Sequence, residues 1–174
     1  MRRILLTCAL LTLLALPAAA AAHGAARAKP GFLVVRKALG DGGVNGRPVA
    51  TIVVQGFVLG RVSQEALVDV IQLPSAGGQG AVQVTGTDVS ARAIRWHGFT
   101  GKEYRGSNFR FRAIGGFYRV VVRGSGIFLF AGGHGHVALR GSAVYPRADG
   151  RFSVDGGIFR SLPTRPVKRT LGGE

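Results

Sequence analysis

A chain of 174 residues with 23 Lys and Arg against 8 Asp and Glu carries a net charge of +15, so we expect it to attract polyanions. Its only cysteine, Cys8, lies in an apolar N-terminal run, which excludes disulfide bonds within the rest of the chain. The 28 glycines, with many Val, Ile and Phe, favour strands and tight turns over helices.

The N-terminus has the pattern of a secretory signal peptide. Arg2 and Arg3 precede an uncharged apolar run over residues 4–22, which contains Pro17 followed by small residues. An uncleaved membrane anchor is the alternative, since about 20 apolar residues can cross a bilayer. We predict a cleavable signal and linker over residues 1–28, which makes the protein exported, extracellular or associated with the cell envelope.

Short segments rich in β-branched and aromatic residues follow, separated by glycine-containing turns. We predict strands at residues 32–38, 48–59, 66–73, 81–87, 89–96, 108–114, 117–123, 126–131, 136–145 and 151–158. This spacing predicts one all-β domain over residues 29–162, an antiparallel β-sandwich or small closed barrel of about 8–10 short strands. Residues 163–174 combine two Pro with three basic residues and are predicted to form a disordered basic tail.

One internal repeat points to a different architecture. Arg-Gly-Ser occurs at residues 105–107, 123–125 and 140–142, at intervals of 18 and 17 residues. Coils of that length would make a β-solenoid. Short Gly-Gly and Gly-Ser turns favour antiparallel hairpins instead, because parallel pairing needs long crossovers.

The segment from Phe109 to Ala131 is read as hairpins, with Gly115-Gly116 as a two-residue turn that places Arg112 opposite Arg119. Alternation then puts one apolar set in the core, namely Phe109, Phe111, Ala113, Tyr118, Val120, Val122, Ile127 and Leu129. The other face is basic and aromatic, and its candidate anion-binding or ligand-binding residues are Arg110, Arg112, Arg119, Arg123, Phe128 and Phe130. The alternative is that these arginines are solvated or paired with acids from elsewhere.

Residues able to carry catalysis or hold a metal are sparse. His134 and His136 are a weak metal candidate, because an i, i+2 pair shares one face of a strand, but no carboxylate follows it. Asp69, Asp88, Asp149 and Asp155 are scattered, and no Gly-x-Ser-x-Gly elbow occurs. Trp96 is expected in the core. We therefore predict no catalytic residue and no cofactor, and favour a non-catalytic protein over an enzyme.

These observations favour an exported β-domain whose basic and aromatic face contacts anionic envelope polymer or lipid head groups. We expect no specific nucleic acid partner, and no transmembrane segment after signal cleavage. The alternative is a small β-barrel that holds an apolar ligand and is possibly enzymatic.

Overall fold

The computed structural model describes residues 29–145 and 150–172, so the predicted signal peptide and Asp149 lie outside the described residues. The described chain forms eleven strands and one short 3₁₀ helix, Gly43–Asn45. The strands are β1 (Gly31–Ala38), β2 (Ala50–Val62), β3 (Ala66–Leu73), β4 (Ala81–Thr85), β5 (Asp88–Trp96), β6 (Phe99–Ser107), β7 (Phe109–Gly124), β8 (Ile127–Leu139), β9 (Arg151–Val154), β10 (Arg160–Ser161) and β11 (Val167–Leu171).

The all-β prediction is confirmed. The strands form one sheet in the order β10-β9-β1-β8-β2-β7-β3-β6-β5, with β11 also paired to β8 and β4 to β7. Every pairing is antiparallel, so the solenoid alternative is wrong, and the sheet is not closed into a barrel. Among the described residues no helix is long and apolar enough to span a membrane.

The central strand β2 cannot be straight. It pairs along its whole length with β7 on one side and β8 on the other, so β7 and β8 run in the same direction. Thirteen extended residues span about 40 Å, yet only Ser125 and Gly126 join the end of β7 to the start of β8. The three strands therefore fold back on themselves, which brings their two ends together.

The fold line is a row of glycines on neighbouring strands. Gly133 lies opposite both Gly31 and Gly56, and Gly56 lies opposite Gly116. A Cβ on Gly56 would lie 2.1 Å from the Gly132 carbonyl oxygen, and a Cβ on Gly133 would lie 2.1 Å from that of Gln55. Because the backbones approach this closely, only glycine fits at the bend.

The fold line divides the sheet into two layers. We call the layer β11-β8-β2-β7-β3-β6-β5 sheet A; it takes residues 50–55, 117–124 and 134–139 from the three long strands. Sheet B is the layer β10-β9-β1-β8-β2-β7-β4, with residues 57–62, 109–114 and 127–132. A core of fully buried side chains fills the space between them, including Leu33, Ile52, Val58, Phe109, Tyr118, Ile127 and Leu139. The fold is thus sandwich-like.

The predicted turn at Gly115-Gly116 is wrong, because β7 continues through it as a 16-residue strand. Gly116 pairs with Gly56 and Ile114 with Phe57, which leaves Gly115 as an unpaired bulge residue with a φ of 75°. Because of this extra residue, odd-numbered residues face the core before the bulge and even-numbered residues face it after the bulge. A two-residue turn would produce the same change. All eight predicted core residues of this segment are therefore buried.

The sequence prediction missed β6 and misassigned the tail. β6 contains Gly101, Lys102 and Glu103, which are uncommon in strands, but the turn His97-Gly98, with φ of 47° and 84°, pairs it with β5. Residues 167–171 were expected within a disordered tail and instead form β11 along the edge of β8. Leu171 is fully buried there and attaches the tail to the sheet, although the basic composition of the tail had suggested disorder.

We predict that Gly56→Ala and Gly133→Ala each lower the free energy of unfolding by at least about 2 kcal/mol, because each new Cβ collides with backbone and the backbone conformation is strained. Urea unfolding followed by circular dichroism measures the change. The control is Gly77→Ala, whose Cβ meets no atom within 4 Å; a loss no larger than in this control would contradict the proposed fold line.

Candidate anion-binding face

The six predicted site residues lie on two different surfaces. Arg110 and Arg112 precede the bulge in β7 and face outward from sheet B, as do Phe128 and Phe130 in β8. The other two, Arg119 and Arg123, follow the bulge and face outward from sheet A. The predicted pairing of Arg112 with Arg119 is therefore wrong, because the two residues belong to one strand on opposite sides of the fold line.

Four arginines on or beside sheet A have acidic partners. The three Arg-Gly-Ser repeats lie at the same end of the sheet, where Arg105 and Arg123 both face Leu67 and the Arg140 N–H donates to Val49. Each repeat arginine lies near one carboxylate: Arg105 near Glu65 at 2.9 Å, Arg123 near Asp69 at 2.9 Å and Arg140 near Asp41 at 3.9 Å. A fourth pair joins Arg92 to Glu103 at 2.5 Å. Each arginine of the repeat therefore has a carboxylate nearby that offsets its charge.

Two of these carboxylates are engaged further in structural contacts. Asp41 accepts hydrogen bonds from the Ser142 hydroxyl and from the Ala143 N–H, the latter at 2.8 Å. The Ser142 bond is the main reason that the pKa of Asp41 lies below its usual value. Asp69 is buried, and its Oδ2 accepts a 2.9 Å hydrogen bond from Arg123. Both acids stabilise the fold.

Arg119 also has a structural environment. Its guanidinium lies over the Trp96 ring, 4.4 Å from the ring centroid. Burial lowers the pKa of Arg119, and nearby Asp69 opposes that shift. Its cross-strand partner Ile71 is 1% exposed although it faces outward. Trp96, expected in the core, is instead half-buried on the outer face of sheet A beside Arg119.

The outer face of sheet B carries exposed cations, which we call the basic band. Its members are Arg36, Lys37, Arg61, Arg110, Arg112 and Arg151. Arg61 lies directly opposite Arg110, and Arg36 directly opposite Arg151. Like charges facing each other across strands cost roughly 0.2–1 kcal/mol per pair unless a counter-charge relieves them.

No acidic residue within residues 29–145 and 150–172 forms an ion pair with the basic band. Four of the six acids there pair with the sheet A arginines described above. Asp155 accepts the Phe32 N–H at 2.7 Å, and Asp88 begins β5 opposite Ser107. Of the acids considered for catalysis, Asp69, Asp88 and Asp155 therefore lie in different parts of the sheet, and Asp149 lies outside the described residues.

Two open grooves run along the basic band. One, of about 430 Å³, is lined by Leu59, Gln83, Thr85, Arg110 and Arg112, together with Gly60 and Phe111. The other, of about 360 Å³, is lined by Arg36, Lys37, Phe128, Arg151 and Phe159. Arg36 lies over the Phe159 ring, 4.3 Å from its centroid, which holds this guanidinium in place. The first groove places arginine forks beside the Gln83 amide and the Thr85 hydroxyl, and the second places cations beside aromatic rings.

Beside the basic band, towards the fold line, lies an apolar patch made of Phe32, Phe57, Ile114 and Phe130. The Phe130 ring stacks with Phe32, with centroids 6.0 Å apart and planes 11° apart, and tilts against Phe57 at 5.2 Å. Phe32, Ile114 and Phe130 are 39–43% exposed. Such a contiguous apolar surface next to polar residues is typical of interaction sites.

The histidine pair lies away from this face. His134 and His136 are exposed on β8 in sheet A, opposite Gln55 and Val53. β8 runs without a break through Gly132 and Gly133, which precede the pair. In the described part of the chain, no group of three or more His, Cys, Asp or Glu side chains is placed to hold a metal ion.

The compensated charges on sheet A should differ in their effect on stability. We predict that Asp69→Asn lowers the free energy of unfolding by about 1–3 kcal/mol, because it leaves the half-buried Arg123 without its counter-charge. Glu65→Gln, which removes the partner of the exposed Arg105, is the control and should cost less than about 1 kcal/mol. Urea unfolding measures both; equal losses would contradict the structural role of Asp69.

Comparison of the chain with protein-family models, with curated proteins and with solved structures gives no match. Its function is therefore inferred from the positions and charges of its own residues. The basic band and the adjoining apolar patch are the surface on which that inference rests.

Proposed function

We propose that this protein is a non-catalytic module that binds an anionic envelope polymer or lipid head groups through the basic band on sheet B. The observation that carries the proposal is the concentration of six exposed cations, including two directly opposed arginine pairs, on a face where no described acid pairs with them. A bound anion would relieve their mutual repulsion.

The chemistry of the band suits multiply charged oxyanions. A guanidinium presents N–H donors in a planar fork that matches the oxygens of phosphate and carboxylate. Arg110 and Arg112 project from the same face of β7, and Arg61 lies beside them on β2. This spacing allows several oxyanion groups of one polymer or surface to be held at once.

The contrast with sheet A supports a specific site over general basicity. There, four arginines lie near acids, and Arg119 is covered by Trp96. The cations of the basic band, by contrast, have no described acid as an ion-pair partner. The predicted N-terminal signal favours a partner outside the cytoplasm.

The small-ligand alternative receives less support. It depended on a closed barrel with an internal site, whereas the sheet is open and buried side chains fill the space between its layers. The grooves of the basic band open to solvent on the outer face.

We predict that the triple variant Arg61→Gln, Arg110→Gln, Arg112→Gln binds long-chain polyphosphate at least tenfold more weakly than the unmodified protein near 0.1 M salt, a loss of about 1.4 kcal/mol. The matched control, Arg92→Gln, Arg95→Gln, Arg105→Gln, removes the same charge from sheet A and should lose far less. Fluorescence anisotropy of labelled polyphosphate, across a salt series, measures both.

Binding of the unmodified protein should weaken steeply as salt rises, because exposed charges are screened. In co-sedimentation with purified cell envelope, the sheet B triple variant should bind much more weakly than the unmodified protein, and the sheet A triple variant should bind nearly as well as the unmodified protein. Equal losses in the two triple variants would show that net charge alone drives binding and would contradict a site on sheet B. Absence of binding even at low salt would overturn the proposal.

A further inference from the structure

We infer that the anionic partner is a lipid bilayer, with the basic band on the phosphate groups and the apolar patch inserted at the boundary of the acyl chains. This inference rests on the proposed function and specifies its partner. The positive charge of the basic band indicates that the partner is anionic. The apolar patch favours a membrane over a soluble polymer.

The cations and the apolar side chains are close neighbours on the same strands. Ile114 follows Arg112 by two residues on the same face of β7, and Leu59 lies between Arg112 and Phe130 in one cross-strand row. A lipid bilayer presents charged head groups and hydrocarbon within a few ångströms of each other. The spacing of cations and apolar side chains on sheet B matches that arrangement. A soluble polyanion would contact the cations and leave the apolar patch in water.

The packing of the rings argues against a sugar-binding platform. Phe130 has Phe32 stacked on one side at 6.0 Å and Phe57 tilted against it at 5.2 Å. The two neighbouring rings therefore crowd the Phe130 ring, whose residue is 39% exposed. Stacking of a sugar needs a free aromatic face, whereas insertion into an apolar phase is not directional and accepts edges.

The apolar patch is built on a glycine. A Cβ on Gly132 would lie 2.6 Å from ring carbons of Phe57 and 2.9 Å from a ring carbon of Phe32, so the absence of a side chain lets both rings lie across this position. Gly132 does not have a positive φ, so its backbone does not require glycine. Gly132 is therefore needed to leave room for the Phe57 and Phe32 rings.

The first test compares vesicles of phosphatidylglycerol and phosphatidylcholine with soluble polyphosphate. The variant Phe32→Ser, Phe130→Ser should retain polyphosphate binding within about twofold but lose at least about tenfold in vesicle binding near 0.5 M salt, where screening leaves mainly the apolar contribution. Ile114→Ser is a second, milder variant expected to change in the same direction. Thermal unfolding checks that each variant is folded.

The second test measures depth with tryptophan. Trp96 is the only tryptophan and lies on the outer face of sheet A, so its emission should be unaffected by vesicles containing brominated lipid. In a Trp96→Phe background, Ile114→Trp should be quenched strongly and its emission should shift to shorter wavelength. The native tryptophan thus serves as the internal control.

The outcomes separate the two proposals. If the Phe32→Ser, Phe130→Ser variant binds vesicles as the unmodified protein does and Ile114→Trp is not quenched, while polyphosphate binding persists, the lipid inference is overturned and a polymer partner is favoured. If neither vesicles nor polyphosphate bind, the proposed function itself fails. Quenching at Ile114→Trp together with loss of vesicle binding in the phenylalanine variant supports the lipid inference.

Discussion

The bend in three long strands is the constraint on which the rest of the structure depends. Gly56 lies between Gly133 and Gly116 at the centre of β2, where backbones approach too closely for any Cβ. Without this row, β2, β7 and β8 would form a flat sheet with one apolar face open to water. The bend places that face inside and makes the Ser125-Gly126 link possible. Backbone sterics at a few glycines therefore determine where the hydrophobic core lies.

The same bend separates the charges into two populations. Because β7 crosses the fold line, its arginines on either side belong to different outer faces. Those of sheet A lie close to carboxylates or stack on Trp96, and their stems cover outward-facing apolar residues such as Ile71. On sheet B, Arg110 lies opposite Arg61 and Arg112 opposite Leu59, next to the exposed Phe130. The arginines of one face thereby stabilise the fold, whereas those of the other carry the proposed anion-binding site.

Sequence patterns predicted the local structure well and the long-range pairing poorly. The bounds of β3 and the core face of residues 109–129 were predicted correctly, because alternation within a strand is local information. Gly115-Gly116 fits a two-residue turn and a bulge equally well, and only the opposing Gly56 decides between them. Four of the six predicted site residues share one face, whereas Arg36, Arg61 and Arg151 join them through pairings that the sequence does not reveal. For Arg61 the sequence did contain a signal, because alternation continued past the end of the predicted strand places it on the same face as Phe57 and Leu59.

A chemical-shift map tests most directly whether the basic band binds an anion. Backbone amide spectra of the labelled protein would be recorded by NMR during titration with a short polyphosphate. We expect the largest shifts on sheet B at Arg61, Arg110 and Arg112, extending to Arg36 and Arg151, while Arg92, Arg105 and Arg123 on sheet A change little. Shifts concentrated on sheet A, or spread evenly over both faces, would contradict the proposed binding site on the basic band.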